Sequence, residues 1–435
     1  MKSNFVLLLL VLSLSLFFNS CKKEENITNP IASTSPNILF IIADDMGKDA
    51  INGFSEGSIK PKTPTIDNIK NTGLSFTNFW VNPTCSPTRA ATITGKYGYR
   101  TGVKWAGDIL SNSETVLQKY INTQTGNKYA TAVIGKWHLA GINDSFNPES
   151  FGIDYYAGMM SGAAQSYYSW KFTENGSSTT ETKYITEKFT DLAIDWVNKQ
   201  DKPWFLWLAY TAPHTPFHAP PTEMHSQGNL PTYTTSSDPM PYYMAAIEAM
   251  DYQIARLLNK LSVEEKANTI IIFMGDNGTP VEVVQNPYSS RTAKGTLYEG
   301  GINCPLFVSG NGVSRLGTDT NLINNTDLFA TIAQLAGSNA SEINDSKSFK
   351  SLLSSSSNSS TQREYIYSEM NSGRIDSWTI RNQKYKIIAN ASGSIEMYNL
   401  QTDPYENTNL LNSTLSNEQS TAKTQLETKL SEIRK

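Results

Sequence analysis

The chain has 435 residues, a formal net charge of −4, 17% charged residues and 39% hydrophobic ones. That length carries one large core, or a large domain with a small companion. The mild acidity excludes nucleic-acid binding through bulk positive charge, so an anionic ligand needs a local basic cluster.

The chain opens on Met1-Lys2, runs apolar from Phe5 to Phe18 and reaches Asn19-Ser20-Cys21. The apolar run is shorter than the ~20 residues that a transmembrane helix needs. It resembles a bacterial lipoprotein signal, which implies a signal peptide over 1–21 with Cys21 as the lipid-modified residue. The Lys22-Lys23-Glu24-Glu25 patch resembles the surface-export signal of Bacteroidetes lipoproteins. Together they imply an exported bacterial lipoprotein at the outer membrane or cell surface, touching membrane only through its N-terminal lipid anchor. The periplasm is the alternative address, and an ordinary secretory signal with a soluble product is the alternative processing. Residues 22–36 read as a polar tether.

Asn37 to Ala43 is a continuous apolar run, as in a strand buried on both faces of a parallel sheet, and it ends in Asp44-Asp45. Ligands of open α/β sheets gather at the carboxyl ends of strands. Adjacent carboxylates there suit a hard cation, although a solvated turn is the commoner fate of such a pair. Thr65 to Thr72 reads as a short helix closed by Gly73, and Leu74 to Val81 as extended chain. Then comes Thr84-Cys85-Ser86-Pro87-Thr88-Arg89-Ala90. Pro87 suits the first turn of a helix that ends at Gly95, which puts Cys85 at a helix N-terminus. A thiol there is expected to have a lowered pKa, with inert packing of a small Cys as the plain alternative. Lys48 and Lys96 read as surface charges.

Tyr129 to Ile134 is a second buried strand, ending in Gly135-Lys136-Trp137-His138. Tyr184 to Lys199 has helical spacing. Trp204 to Tyr210 is a third strand, running to Pro213-His214-Thr215-Pro216. Tyr242 to Leu261 is a long amphipathic helix. Thr269 to Met274 is a further strand, ending in Gly275-Asp276-Asn277-Gly278. Lys294-Gly295-Thr296 and Glu299-Gly300-Gly301 fall in a loop, and Asp327 to Ala336 is a helix closed by Gly337. Ser351 to Thr361 is a Ser-rich linker. Tyr365–Met370, Trp378–Ile388 and Ile395–Leu400 alternate as antiparallel strands do, and Leu410 to Lys435 closes with a helix. The expected fold is α/β: a large, mostly parallel or mixed sheet with helices on both faces over 37–350. A small antiparallel sheet with a helix forms a C-terminal subdomain over 362–435.

These strand ends and loops bring Asp44, Asp45, Cys85, Arg89, Lys136, His138, His214, Asp276, Asn277 and Lys294 to one side of one sheet. In these motifs the chain resembles a type I, formylglycine-dependent sulfatase of the alkaline phosphatase superfamily. Cys85-Ser86-Pro87-Thr88-Arg89 is similar to that family's Cys-x-Pro-x-Arg signature. Asn37–Asp45, Gly135–His138, Gly275–Gly278 and Lys294–Gly301 follow as its other blocks, and Met397–Leu400 with Asp403-Pro404 resembles its closing motif. The resemblance implies that a maturation enzyme oxidises Cys85 to formylglycine, and that Asp44, Asp45, Asp276 and Asn277 hold one divalent cation, usually Ca2+, with residue 85. It implies that Arg89 anchors the formylglycine, that Lys136 and Lys294 bind sulfate oxygens, that His138 acts on the hydrated aldehyde and that His214 lies by the leaving oxygen. His218 and Arg291 are candidates for the substrate rim, and His225 reads as a solvated loop histidine.

Three cysteines are present. With Cys21 lipidated and Cys85 modified, Cys304 is left alone; a Cys85–Cys304 disulfide is the competing reading. The leading expectation is a sulfuric ester hydrolase removing sulfate from a glycan, with Tyr- and Trp-bearing loops over Tyr155–Trp170 and Tyr233–Tyr243 stacking on sugar rings. The alternatives are a phosphonate monoester or phosphodiester hydrolase using the same formylglycine, and a non-catalytic glycan-binding lipoprotein. Gly300-Gly301-Ile302 is followed by Asn303-Cys304-Pro305, where the family commonly has Arg-Val-Pro, so local packing is expected to differ there.

Overall fold

A computed structural model describes residues 35–141, 144, 146–354, 363–373 and 375–435. The signal peptide, all but the end of the tether, Cys21, and residues 355–361 of the expected Ser-rich linker lie outside the described residues; the start of that linker is instead part of a short helical turn, Lys350–Leu353, with Leu352 and Leu353 buried. Ser35–Lys435 forms one compact unit.

Its centre is a mixed sheet of ten strands. In chain order these are β1 (Asn37–Asp44), β2 (Gly73–Trp80), β3 (Ala130–Lys136), β4 (Tyr155–Met159), β5 (Trp170–Glu174), β6 (Ser177–Glu181), β7 (Trp204–Pro213), β8 (Thr269–Gly275), β9 (Leu306–Gly310) and β10 (Gly317–Asn324). They lie in the order β10-β2-β9-β8-β1-β7-β3-β4-β5-β6. The neighbours β8, β1, β7, β3 and β4 are mutually parallel, while β9 and the β5–β6 hairpin run antiparallel.

The apolar runs explain the centre. Ile38, Phe40 and Ile42 pack on one face of β1 with the helices Leu117–Thr125 and Asp327–Leu335. Leu39, Ile41 and Ala43 pack on the other with Pro64–Asn71, Ile185–Val197 and Met240–Lys260. A strand that must satisfy two cores has no polar face, so it reads as unbroken hydrophobics. Because these strands are parallel, their C-terminal ends share one edge.

A second sheet joins Ile366–Asn371, Asp376–Arg381, Tyr385–Asn390 and Ile395–Asn399 in sequence order, all antiparallel. The helix Asn417–Ile433 lays Ala422, Leu426 and Leu430 on it, and starts with a capping box between Ser416 and Gln419. Trp80, Ile302, Leu322 and Ile366 form the apolar joint with the large sheet. Fully buried Lys386 pairs there with Glu299 at 3.1 Å and Glu406 at 2.6 Å.

Some expectations are corrected. Gly73 begins β2, and Thr72 caps the preceding helix. The expected loop Tyr155–Trp170 contains β4 and the first residue of β5. Glu299–Ile302 is a short helical turn. Lys48 is buried, not a surface charge: its ammonium donates to the Thr77 carbonyl at 2.6 Å and lies over the Phe54 ring. Cys85 and Cys304 are both free, so the disulfide reading falls. Among the described residues no helix is long and apolar enough to cross a membrane.

Candidate active site

The order β8-β1-β7-β3 sets Asp276-Asn277, Asp44-Asp45, His214 and Lys136 side by side at the shared strand edge. The helix Cys85–Thr94 points its N-terminus into that edge, and Gly95 ends it in the left-handed conformation (φ 67°). Asp45 and His138 hold positive φ values of 69° and 56°, which are uncommon outside glycine and cluster at functional sites.

Arg89 is the buried cation that ties the edge together. Its Nε and one terminal nitrogen donate to Asp276 Oδ2 at 3.1 and 2.8 Å, and the other donates to the Lys136 carbonyl at 2.7 Å. Asp44 Oδ2 lies 3.6 Å from the same guanidinium and accepts from Lys136 Nζ. Lys294 Nζ donates to Asp45 Oδ2 at 2.6 Å, and Asn277 Nδ2 donates to Asp45 Oδ1 at 2.7 Å. His214 places Nε2 3.7 Å from Asp45 Oδ2, while its Nδ1 donates to the Thr215 carbonyl at 2.7 Å. Cys85 Sγ meets His138 Nδ1 at 3.1 Å.

Two buried oxygens here have no hydrogen-bond partner, Asp44 Oδ1 and Asn277 Oδ1. Leaving a buried polar atom unpaired costs about 1–3 kcal/mol, so natural proteins give such atoms a partner. Both belong to an all-oxygen set with Asp45 and Asp276, which is the donor chemistry of a hard divalent cation. Ligand atoms of Asp44, Asp45 and His214 also lie within 4.8 Å of one another. The residues present therefore fit a divalent cation.

Electrostatics sort the titratable groups. Burial pushes Asp44 up and raises Asp276 to about 6, with Arg89 opposing in both cases. Burial also opposes ionisation of Asp45, but His214 and Lys294 outweigh it and hold that carboxyl below the usual range. Burial, reinforced by Lys136 and Arg89, drives His138 well below an ordinary imidazole. Burial brings His214 down to about 4 although Asp45 pulls it up. Burial works against Lys294, yet Asp45 and Cys85 raise it. The expected lowered pKa of Cys85 is not found: burial pushes the thiol up, and Lys136 offsets only part of that.

All ten residues expected at the strand edge converge. The two rim candidates do not join them. His218 stacks its ring on Tyr167 at 3.7 Å between centroids and bonds Tyr184 OH at 3.1 Å. It is packing behind His214, whose carbonyl accepts from Tyr167 OH at 2.7 Å. Arg291 stands exposed on the loop that delivers Lys294. His225 is half-buried, not solvated, and its Nδ1 accepts from Gln227 N at 3.2 Å. Sequence reading missed Tyr243, whose hydroxyl donates to the Asp45 carbonyl at 2.7 Å, and Ser86, whose hydroxyl donates to the His138 carbonyl at 2.8 Å. Ser86 was within the motif already singled out; Tyr243 was expected to close a sugar-stacking loop over Tyr233–Tyr243, but it lies fully buried in the helix Met240–Lys260.

The family model described as Sulfatase matches residues 36–338. The chain belongs to the sulfatase family. A second model, described as N-sulphoglucosamine sulphohydrolase, C-terminal, matches residues 292–435 of this sulfatase. It is 28% identical to an uncharacterized Escherichia coli sulfatase, YdeN, over 69% of this chain and 62% of that protein. It is also 28% identical to the N-acetylgalactosamine-6-sulfatase of Sus scrofa, over 70% of this chain and 63% of that one. The chain thus spans less than two thirds of those relatives. A sulfatase of Formosa agariphila is 25% identical over 94% of this chain and 89% of its own. Among solved structures, Ps i-CgsB in complex with k-i-k-neocarrahexaose superposes with a TM-score of 0.78 at 24% identity, covering 92% of this chain and 93% of that one. The shared feature at that identity is the alkaline phosphatase-like fold.

Proposed function

We propose that this sulfatase hydrolyses sulfuric esters of a carbohydrate, with Cys85 as the precursor of formylglycine and Asp44, Asp45, Asp276 and Asn277 as the holders of a divalent cation. The observation that carries the reading is the contact of Cys85 Sγ with His138 Nδ1 at 3.1 Å, beside the unpartnered oxygens of Asp44 and Asn277. The cation and the formylglycine supply, respectively, positive charge for the ester oxygens and a hydroxyl nucleophile in place of the thiol.

The chain's own residues do the remainder. A sulfate monoester is an anion, and Lys136, Lys294 and Arg89 offset its charge. Lys136 and Arg89 are fully buried, where such charges act more strongly than in water. His138, neutral and beside residue 85, accepts a proton from that residue. Lys294 stays cationic and is the proton donor to the departing alcohol. His214, neutral with its Nδ1 proton engaged on Thr215, faces Asp45 with a bare Nε2. The carbohydrate class is supported by the sugar complexes of fold relatives. These include BT4656 solved with its substrate D-glucosamine-2-N,6-O-disulfate, at a TM-score of 0.75 and 22% identity over 92% of this chain and 98% of that one. The N-terminal Cys21 signal fits export as a lipoprotein to a surface where glycans are met.

Mass spectrometry of the Cys85 peptide from a host with the maturation enzyme tests the nucleophile. Formylglycine is expected, and a retained thiol overturns the mechanism. Sulfate release from a panel of sulfated oligosaccharides tests the reaction, with aryl phosphate and phosphonate esters run beside aryl sulfate to separate the ester classes.

A further inference from the structure

His138 is held by more than its contact with Cys85. Its backbone takes the left-handed conformation (φ 56°), which a non-glycine residue adopts only under constraint. Its N–H donates to the Met160 carbonyl at 3.0 Å. Its carbonyl accepts from Ser86 Oγ at 2.8 Å, and that same hydroxyl accepts from Gly107 N at 3.0 Å. Ser86 is fully buried and is the neighbour of Cys85. One hydroxyl therefore ties three segments: the nucleophile helix, the turn after β3 and the loop of Gly107.

The ring is fenced from the far side. A Cβ built on Gly162 would stand 2.2 Å from His138 Nε2 and 2.3 Å from Cε1. Atoms do not approach that closely, so any side chain at 162 must push the imidazole. The imidazole is the end of a side chain rather than backbone, so the ring would yield and the fold would stand. What is lost is the 3.1 Å contact with residue 85.

The geometry points to Ser86 and Gly162 as positioning residues: Ser86 fixes the backbone of His138, and Gly162 leaves room for its ring, so that Nδ1 faces residue 85. Neither touches the reacting atoms, and both act through His138. The inference rests on the proposed hydrolysis.

The test is a set of variants assayed for sulfate release: wild type, Ser86→Ala, Ser86→Thr, Gly162→Ala, His138→Ala, and the doubles Ser86→Ala/His138→Ala and Gly162→Ala/His138→Ala. Each rate is normalised to the formylglycine fraction read by mass spectrometry, because Ser86 lies inside the sequence that the maturation enzyme reads. Misplacing a catalytic group by about 1 Å costs on the order of 100-fold. A fall in kcat of about 10- to 100-fold with KM held within about twofold is therefore expected for Ser86→Ala and Gly162→Ala. Ser86→Thr, which keeps the hydroxyl, is expected to recover most of the loss. In the His138→Ala background either change should cost nothing further, since a residue acting through another has no effect once that other is gone. Full kcat in both single variants, or losses that multiply in the doubles, overturn the inference. A wild type with no sulfate release overturns the hydrolase reading instead.

Discussion

Asp44 Oδ1 and Asn277 Oδ1 are the atoms through which a cation would stabilise the fold as well as serve chemistry. A ligand that binds only the folded state adds RT ln(1 + [L]/Kd), about 2.7 kcal/mol at a hundredfold excess over Kd. Calcium is therefore expected to raise the Tm of the wild type, and chelation to lower it. The shift should vanish in Asp44→Ala, which removes the oxygen, and shrink in Asn277→Ala. A calcium-dependent Tm that survives in Asp44→Ala would place the cation elsewhere. His218 gives a different residue-scale signature. Burial against Tyr167 brings it to about 4 from 6.5, with the Pro216 carbonyl opposing. As pH falls through 6.5 the unfolded chain takes up a proton that the folded chain refuses until about 4. This contribution to stability is thus fully present above pH 6.5 and lost on acidification towards 4. His218→Gln is expected to flatten the fall of Tm across that window; an unaltered slope would remove His218 as its source.

At the scale of elements, the β3–β7 pair places Lys136 and depends on Gly135. That glycine has φ 111°, and a Cβ there would stand 2.0 Å from the Ala209 carbonyl oxygen of β7. Backbone cannot yield as a side chain can. Gly135→Ala is expected to cost on the order of 3 kcal/mol by urea unfolding and to displace Lys136. A loss below about 1 kcal/mol would show that the strand end relaxes. The elements that sequence reading found share a cause. The runs of β1, β3, β7 and β8 are apolar throughout because each serves two cores, and their ends carry the chemistry. The β5–β6 hairpin escaped because Ser177 to Glu181 is polar and almost wholly exposed, with no apolar face to read. Lys48 was misread because a charged residue in a short polar segment looks solvated, and nothing local tells that β2 and Phe54 close over it. Gly162 was illegible for the same reason: its role lies in a contact with residue 138 that only the pairing of β3 with β4 creates.

At the scale of the whole molecule, the two sheets meet over Lys386. Its ammonium is fully buried between Glu299 and Glu406 and lies 4.7 Å from the Trp80 ring centroid. Asn303 donates to Glu299 at 2.8 Å, and Arg381 lies 3.6 Å from it. These residues share the carboxylate of Glu299, to which Asn303 is tied. Removing one partner of a buried pair strands the other charges and costs about 3–5 kcal/mol. Lys386→Ala is expected to lower unfolding stability by that order and to loosen the C-terminal sheet first, read as earlier amide exchange over Ile366–Asn399. Uniform loss of protection across both sheets would mean that they unfold as one.

Cys304 sits in the core of the large sheet, fully buried, its thiol pushed far up by burial, and among the described residues it pairs with nothing covalently. Cys85 is equally out of reach of solvent. In the native protein neither is expected to answer a thiol reagent. In denaturant, a chain lacking residues 1–21 should titrate two thiols before conversion of Cys85 and one after it. Cys304 thereby becomes an internal standard: the free-sulfhydryl count of the denatured chain, less one, is the fraction of molecules in which Cys85 keeps its thiol.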